Sequence, residues 1–121
     1  LGYTGKKILI VDDEEILRML LGDTLEFEGF QVEEAEDGRE GLQKIQENSY
    51  DAVILDYMMP HMTGLEVLER MKLLNLDVPV IMLTAKAQQA DREDAMNMGA
   101  SYFMPKPFSP NELVTLLKSL F

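Results

Sequence analysis

"KKILIVDDEE" (residues 6–15) carries the chain from apolar to acidic without a basic residue among the acids. Ile8 to Val11 read as a buried strand. Asp12, Asp13, Glu14 and Glu15 then follow in a row. Like charges this close repel, and an unpaired buried carboxylate is costly. A strand that ends this way needs a compensating cation, or its acids must face water.

Two other apolar runs resemble the first. "AVILD" (52–56) and "VPVIML" (78–83) are compact and rich in Val and Ile, as in strands buried on both faces of a parallel sheet. "QVEEA" (31–35) and "SYFMP" (101–105) are weaker strand candidates. Helical patterns lie between them. Ile16, Leu17, Leu20, Leu21 and Leu25 form one apolar stripe that stops near Gly29. Leu42 and Ile45 mark a second helix after Gly38, and Leu65, Leu68 and Met71 a third. Leu113, Leu116, Leu117 and Leu120 mark the last, opened by Ser109, Pro110 and Glu112 as N-cap, first-turn proline and capping-box acid. The stretch from Gln88 to Met98 has a poor stripe, mostly Ala90, Ala95 and Met98, and is expected to be the most weakly anchored helix.

Five strands alternate strictly with five helices. The expectation is one α/β domain, a doubly wound five-stranded parallel sheet joined by right-handed crossovers and flanked by five helices. Residues 1–5 read as an irregular lead-in or a remnant of cloning, and 6–121 as the domain. The 121 residues are 46% apolar, enough for a core without staples. Cys is absent, so disulfides and thiolate metal sites are excluded. A net charge of -11 disfavours direct nucleic-acid binding and suits cations or basic partner surfaces. No apolar run reaches membrane-spanning length and no secretory signal is visible, so the expected location is the cytoplasm.

Function in such folds gathers at the carboxyl ends of the strands. Asp12 and Asp13 end the first strand, Asp56 the third and Thr84 the fourth, and Lys106 follows the fifth. Each alone has a bland reading: a helix cap, a loop acid, a capping hydroxyl, a solvated lysine. Together at one edge they form a site. Three convergent carboxylates are tolerable around a hard divalent cation such as Mg²⁺, the usual partner of phosphoryl transfer. A carboxylate is also a competent nucleophile toward phosphorus.

The segments "ILIVDDE", "DAVILDYMMPHMTGLEVL", "PVIMLTA" and "GASYFMPKPF" resemble the receiver domain of response regulators in two-component signalling, from Lys6 to Phe121. The resemblance implies a flavodoxin-like sheet in order 2-1-3-4-5. It implies Asp56 as phosphoacceptor, Asp13 and Asp56 as direct Mg²⁺ ligands, Asp12 as a ligand through water, and Met58 as a ligand through its backbone carbonyl. Lys106 would pair with Asp56 and then with the phosphoryl group, and Thr84 would bond the phosphoryl oxygens. Lys106–Pro107 becomes a candidate cis bond. Thr84 and Phe103 would form the switch, and helix 4, strand 5 and helix 5 the output face. The implied partners are a sensor histidine kinase or phosphotransfer protein and a downstream effector domain or protein, with the chain a monomer or a dimer promoted by phosphorylation.

The chain departs from the family at several positions. Thr63 stands where Asp is common, yet can still cap the third helix. Met58 and Lys86 hold the positions that tune dephosphorylation, and Met58 offers no group to orient water, so slow self-dephosphorylation is expected. His61, the only histidine, reads as a solvated loop residue. Three rival readings fit the sequence less well. A Mg²⁺-dependent phosphohydrolase wants a second Asp two residues past its first-strand nucleophile, where Glu14 stands. A flavodoxin-like cofactor module wants a phosphate loop, not "DDEE". A degenerate receiver acting only as a binding module would lack some of the five key residues, all of which are present.

Overall fold

A computed structural model describes residues 2–85 and 89–121, without the side chains of Gln89, Ala90 and Asp91. The elements alternate as expected: β1 (Lys7–Val11), α1 (Glu15–Phe27), β2 (Gln31–Ala35), α2 (Gly38–Glu47), β3 (Ala52–Asp56), α3 (Gly64–Leu73), β4 (Val80–Thr84), α4 (Gln89–Asn97), β5 (Tyr102–Pro105) and α5 (Pro110–Leu120). The five strands form one parallel sheet in order β2-β1-β3-β4-β5. The fourth strand begins at Val80, because Pro79 has no N–H to give a neighbour.

Successive side chains of a strand point to opposite faces, and the core divides accordingly. Leu9, Val11, Val53, Leu55, Val80 and Met82 face α2 and α3, meeting Leu42, Ile45, Val67, Leu68 and Met71. Ile8, Ile10, Ile54, Ile81 and Leu83 face α1 and α5, meeting Leu21, Leu25, Leu113, Val114 and Leu117. β3 and β4 are buried along their whole length, so Asp56 and Thr84 are carried into the interior by the strands that end in them.

The first helix departs from its expected stripe. Leu21 and Leu25 are buried, but Ile16 is 78% exposed and Leu20 50%. The buried face turns toward Arg18 and Gly22 instead. Gly22 lies close beside Val32 and Glu34 of β2, and this face seats α1 on the sheet edge. In α3 the buried face runs through Val67, Leu68 and Met71, with Leu65 only half-buried. Thr63 and Glu66 make a reciprocal capping box, and Ser109 caps α5 by accepting from the Glu112 amide at 3.2 Å, one half of the box read from the sequence.

Residues 2–5 form turns against the amino-terminal pole of the sheet. The Tyr3 ring lies 5.5 Å from that of Phe30, with the Lys118 ammonium 4.7 Å from its centroid. The Gly5 amide donates to the Gly29 carbonyl at 2.8 Å. Gly2 sits against the Phe121 backbone.

Candidate functional site

The parallel sheet delivers the predicted side chains to its carboxyl edge. Asp12 follows β1 directly, and its amide still bonds the Ala35 carbonyl of β2 at 3.2 Å. Its Oδ1 accepts from the Glu14 amide at 2.8 Å, a short turn that directs the chain into α1. Asp12 is fully buried, Asp56 is 5% exposed, and Asp13 is exposed. One carboxylate oxygen from each of these three lies within 4.8 Å of the others.

Lys106 reaches into this group from the loop after β5. Its Nζ lies 3.3 Å from Asp12 Oδ2, 3.3 Å from Glu14 Oε1 and 3.5 Å from Asp56 Oδ1. Its amide donates to the Thr84 carbonyl at 2.6 Å, which ties the loop to the end of β4. The Lys106–Pro107 bond is cis, as the resemblance suggested. Thr84 is fully buried at the end of β4, beside β3 and β5.

The loop after β3 is also constrained. The Tyr57 amide extends the β3–β4 ladder to the Leu83 carbonyl, and the Gly64 amide returns to the Tyr57 carbonyl, both at 2.8 Å. Between them Met58 is half-exposed and Met59 buried. His61 is exposed and adopts a positive φ of 70°. Gly64 packs directly on the Asp56 carbonyl, where a Cβ would collide with backbone. Phe103 on β5 is half-buried, packed with the α2–α3 side of the core and paired in register with Met82. Lys86 lies outside the described residues.

The electrostatics follow from this crowding. Burial pushes the Asp56 carboxyl up to about 7, reinforced by the Asp12 charge and opposed by Lys106. Asp12 is raised by burial, against the pull of the Glu14 amide and of Lys106. Lys106 is itself raised: burial disfavours its charge, but Asp12, Asp56 and Glu14 together outweigh that. Among the described residues one ammonium, that of Lys106, lies within 3.5 Å of three carboxylates, with Asp13 beside them, so these groups carry surplus negative charge. An all-oxygen donor set with surplus negative charge fits a hard divalent cation.

Two residues of the site escaped the sequence reading. Glu14 looked like a helix-dipole acid but supplies a carboxylate to Lys106. Arg18 sits among the apolar residues of α1 and carries no motif of its own. It is 8% exposed, and its Nη1 donates to the Asp12 carbonyl at 2.7 Å. An arginine interrupting an apolar stripe six residues after Asp12 was the only available signal.

A doubly wound parallel sheet with three acids and a lysine at its carboxyl edge defines a class, and comparison with known proteins sets the family. The profile of the response regulator receiver domain matches residues 8–118, and the chain belongs to that family. It is 45% identical over 114 residues to the transcriptional regulatory protein CpxR homolog of Haemophilus influenzae, covering 94% of this chain and 49% of that protein. It is 41% identical over 116 residues to the transcriptional regulatory protein SrrA of Staphylococcus aureus, covering 96% and 48%. The chain thus spans about half the length of these curated relatives. Among solved structures, the Thermotoga maritima response regulator TrrA, in complex with Mg²⁺ and BeF, superposes with a TM-score of 0.85 at 37% identity, covering 96% of this chain and 99% of that one. Among the described residues no helix is long and apolar enough to cross a membrane.

Proposed function

We propose that Asp56 accepts a phosphoryl group from a phosphohistidine on a sensor kinase or phosphotransfer protein. The convergence of Asp12, Asp13 and Lys106 on this one strand-end carboxylate carries the reading. Oxygen of Asp56 attacks phosphorus as the bond from phosphorus to the imidazole nitrogen breaks, and the imidazole leaves as the nitrogen base. Asp13 and Asp56, with the Met58 carbonyl and Asp12 through water, would hold Mg²⁺. Bound there, the ion neutralises charge on the phosphoryl oxygens and lowers the cost of ionising Asp56. Lys106 holds Asp56 toward the edge and offers its ammonium to the incoming group, and the Thr84 hydroxyl binds a phosphoryl oxygen.

Leu17 and Leu20 of α1 line an apolar cleft beside Phe108 and Lys106, and Ile16, one turn before Leu20, is exposed. This surface flanks the acceptor, and we assign it to the docking of the phosphohistidine donor. Thr84 and Phe103 lie on neighbouring strands and would couple the phosphorylated edge to the face of α4, β5 and α5, which would act on an effector domain or protein. The domain acts in the cytoplasm as a reversible acceptor that slowly loses its phosphoryl group, not as a multiple-turnover enzyme.

Incubation with acetyl phosphate and Mg²⁺, followed by intact mass measurement, tests the assignment. A single phosphoryl adduct, absent in Asp56→Asn, is expected. An adduct that persists in that variant would refute it.

A further inference from the structure

The role of Arg18 is not explained by packing alone. It is the only basic residue of α1, and a helix arginine facing the sheet must be compensated. The guanidinium spans two acceptors: Nη1 reaches the Asp12 carbonyl at 2.7 Å, and Nε reaches Glu34 Oε1 of β2 at 3.2 Å. Asp12 is thereby held from both sides, its amide by the Ala35 carbonyl and its own carbonyl by Arg18. That carbonyl belongs to the peptide plane joining Asp12 to Asp13. Setting the plane sets the direction in which the exposed Asp13 leaves the sheet.

We propose that Arg18 is a positioning residue, fixing the Asp12–Asp13 peptide so that the three carboxylates are preorganised for a divalent cation. The proposal rests on the metal-assisted reading of the site given above. Partners that orient metal-binding side chains commonly govern affinity by an order of magnitude. Arginine suits the task because its planar fork binds two acceptors at once, whereas a lysine ammonium is a single flexible point.

Mg²⁺ binding to the wild type, Arg18→Met and Arg18→Lys, followed by calorimetry and by amide NMR, tests it. Arg18→Met should weaken Mg²⁺ by about tenfold, and Arg18→Lys by about threefold. The Mg²⁺ concentration for half-maximal phosphorylation by acetyl phosphate should rise by the same factors, with the rate at saturating Mg²⁺ little changed. The Asp13 amide resonance should move in the metal-free variants while those of α5 stay in place. A purely structural role would lower stability and leave Mg²⁺ affinity alone. Wild-type affinity in a folded Arg18→Met protein overturns the proposal. Should that variant fail to fold, wild-type affinity and an unmoved Asp13 amide in Arg18→Lys overturn it equally. A wild type that binds Mg²⁺ but takes no phosphoryl group would refute the function proposed above, while the calorimetric comparison would still decide the role of Arg18.

Discussion

Asp56→Asn should make the metal-free protein more stable, and by an amount that depends on pH. Raising the Asp56 carboxyl from 3.8 to about 7 places about 4 kcal/mol on its ionised form in the folded state. The folded value exceeds the unfolded one, so the native state holds the extra proton between about pH 4 and pH 7. The wild type therefore loses stability as pH rises through that window, and the loss is complete above pH 7. Asparagine has the shape of the acid but does not ionise. Its advantage over the wild type should grow by about 2–3 kcal/mol between pH 5 and pH 8, working from the same two values. Relief of Asp12, which Asp56 repels, adds in the same direction. Urea unfolding in EDTA, followed by circular dichroism at half-unit intervals of pH, measures the difference directly. On the proposed Mg²⁺ site, excess Mg²⁺ should narrow the gap, because the ion would stabilise the wild type by binding its folded form and the variant would lack one proposed ligand. An advantage that is flat from pH 5 to pH 8 would refute the account of Asp56 as a carboxylate ionised against burial.

Gly64→Ala should destabilise the protein by about 1–3 kcal/mol in thermal or urea melts, because the new methyl meets the Asp56 carbonyl; it should also slow acetyl phosphate labelling by displacing the acceptor. Ile16→Glu should slow phosphotransfer from a sensor kinase by about tenfold, the loss expected of an interface side chain worth more than 1 kcal/mol, and leave acetyl phosphate labelling unchanged; equal effects on both would remove α1 from the docking surface. Met58→Asn should accelerate loss of the phosphoryl group, measured by the decay of the adduct mass, since the amide can orient a water that methionine cannot; an unchanged decay would show that Met58 does not set the lifetime.

The strands were legible because burial on both faces leaves near-continuous apolar runs, as in 52–56 and 80–84. Strand order followed from the family resemblance, since alternation alone admits other orders. Asp12, Asp13, Asp56 and Lys106 were legible because a parallel sheet brings strand ends to one edge, whatever their distance in sequence. The α1 stripe was read too generously. Its periodicity shows apolar residues on one side but not which of them meet the sheet, and Ile16 and Leu20 remain in solvent. Arg18 was missed for the related reason that its partner within the site is a backbone carbonyl, to which residue type gives no clue. Glu14 was missed because its lysine partner lies ninety-two positions away.

The contact between Gly2 and the Phe121 backbone has a practical corollary. Head and tail of the described fold meet at the pole remote from Asp56, so a linker of a few residues would close the backbone into a ring without touching the acids. Fresh termini could then be cut into the turn around Asn75, an exposed loop between α3 and β4. A permuted molecule of this kind would keep every strand in register and place an attached reporter beside α3 instead of α5.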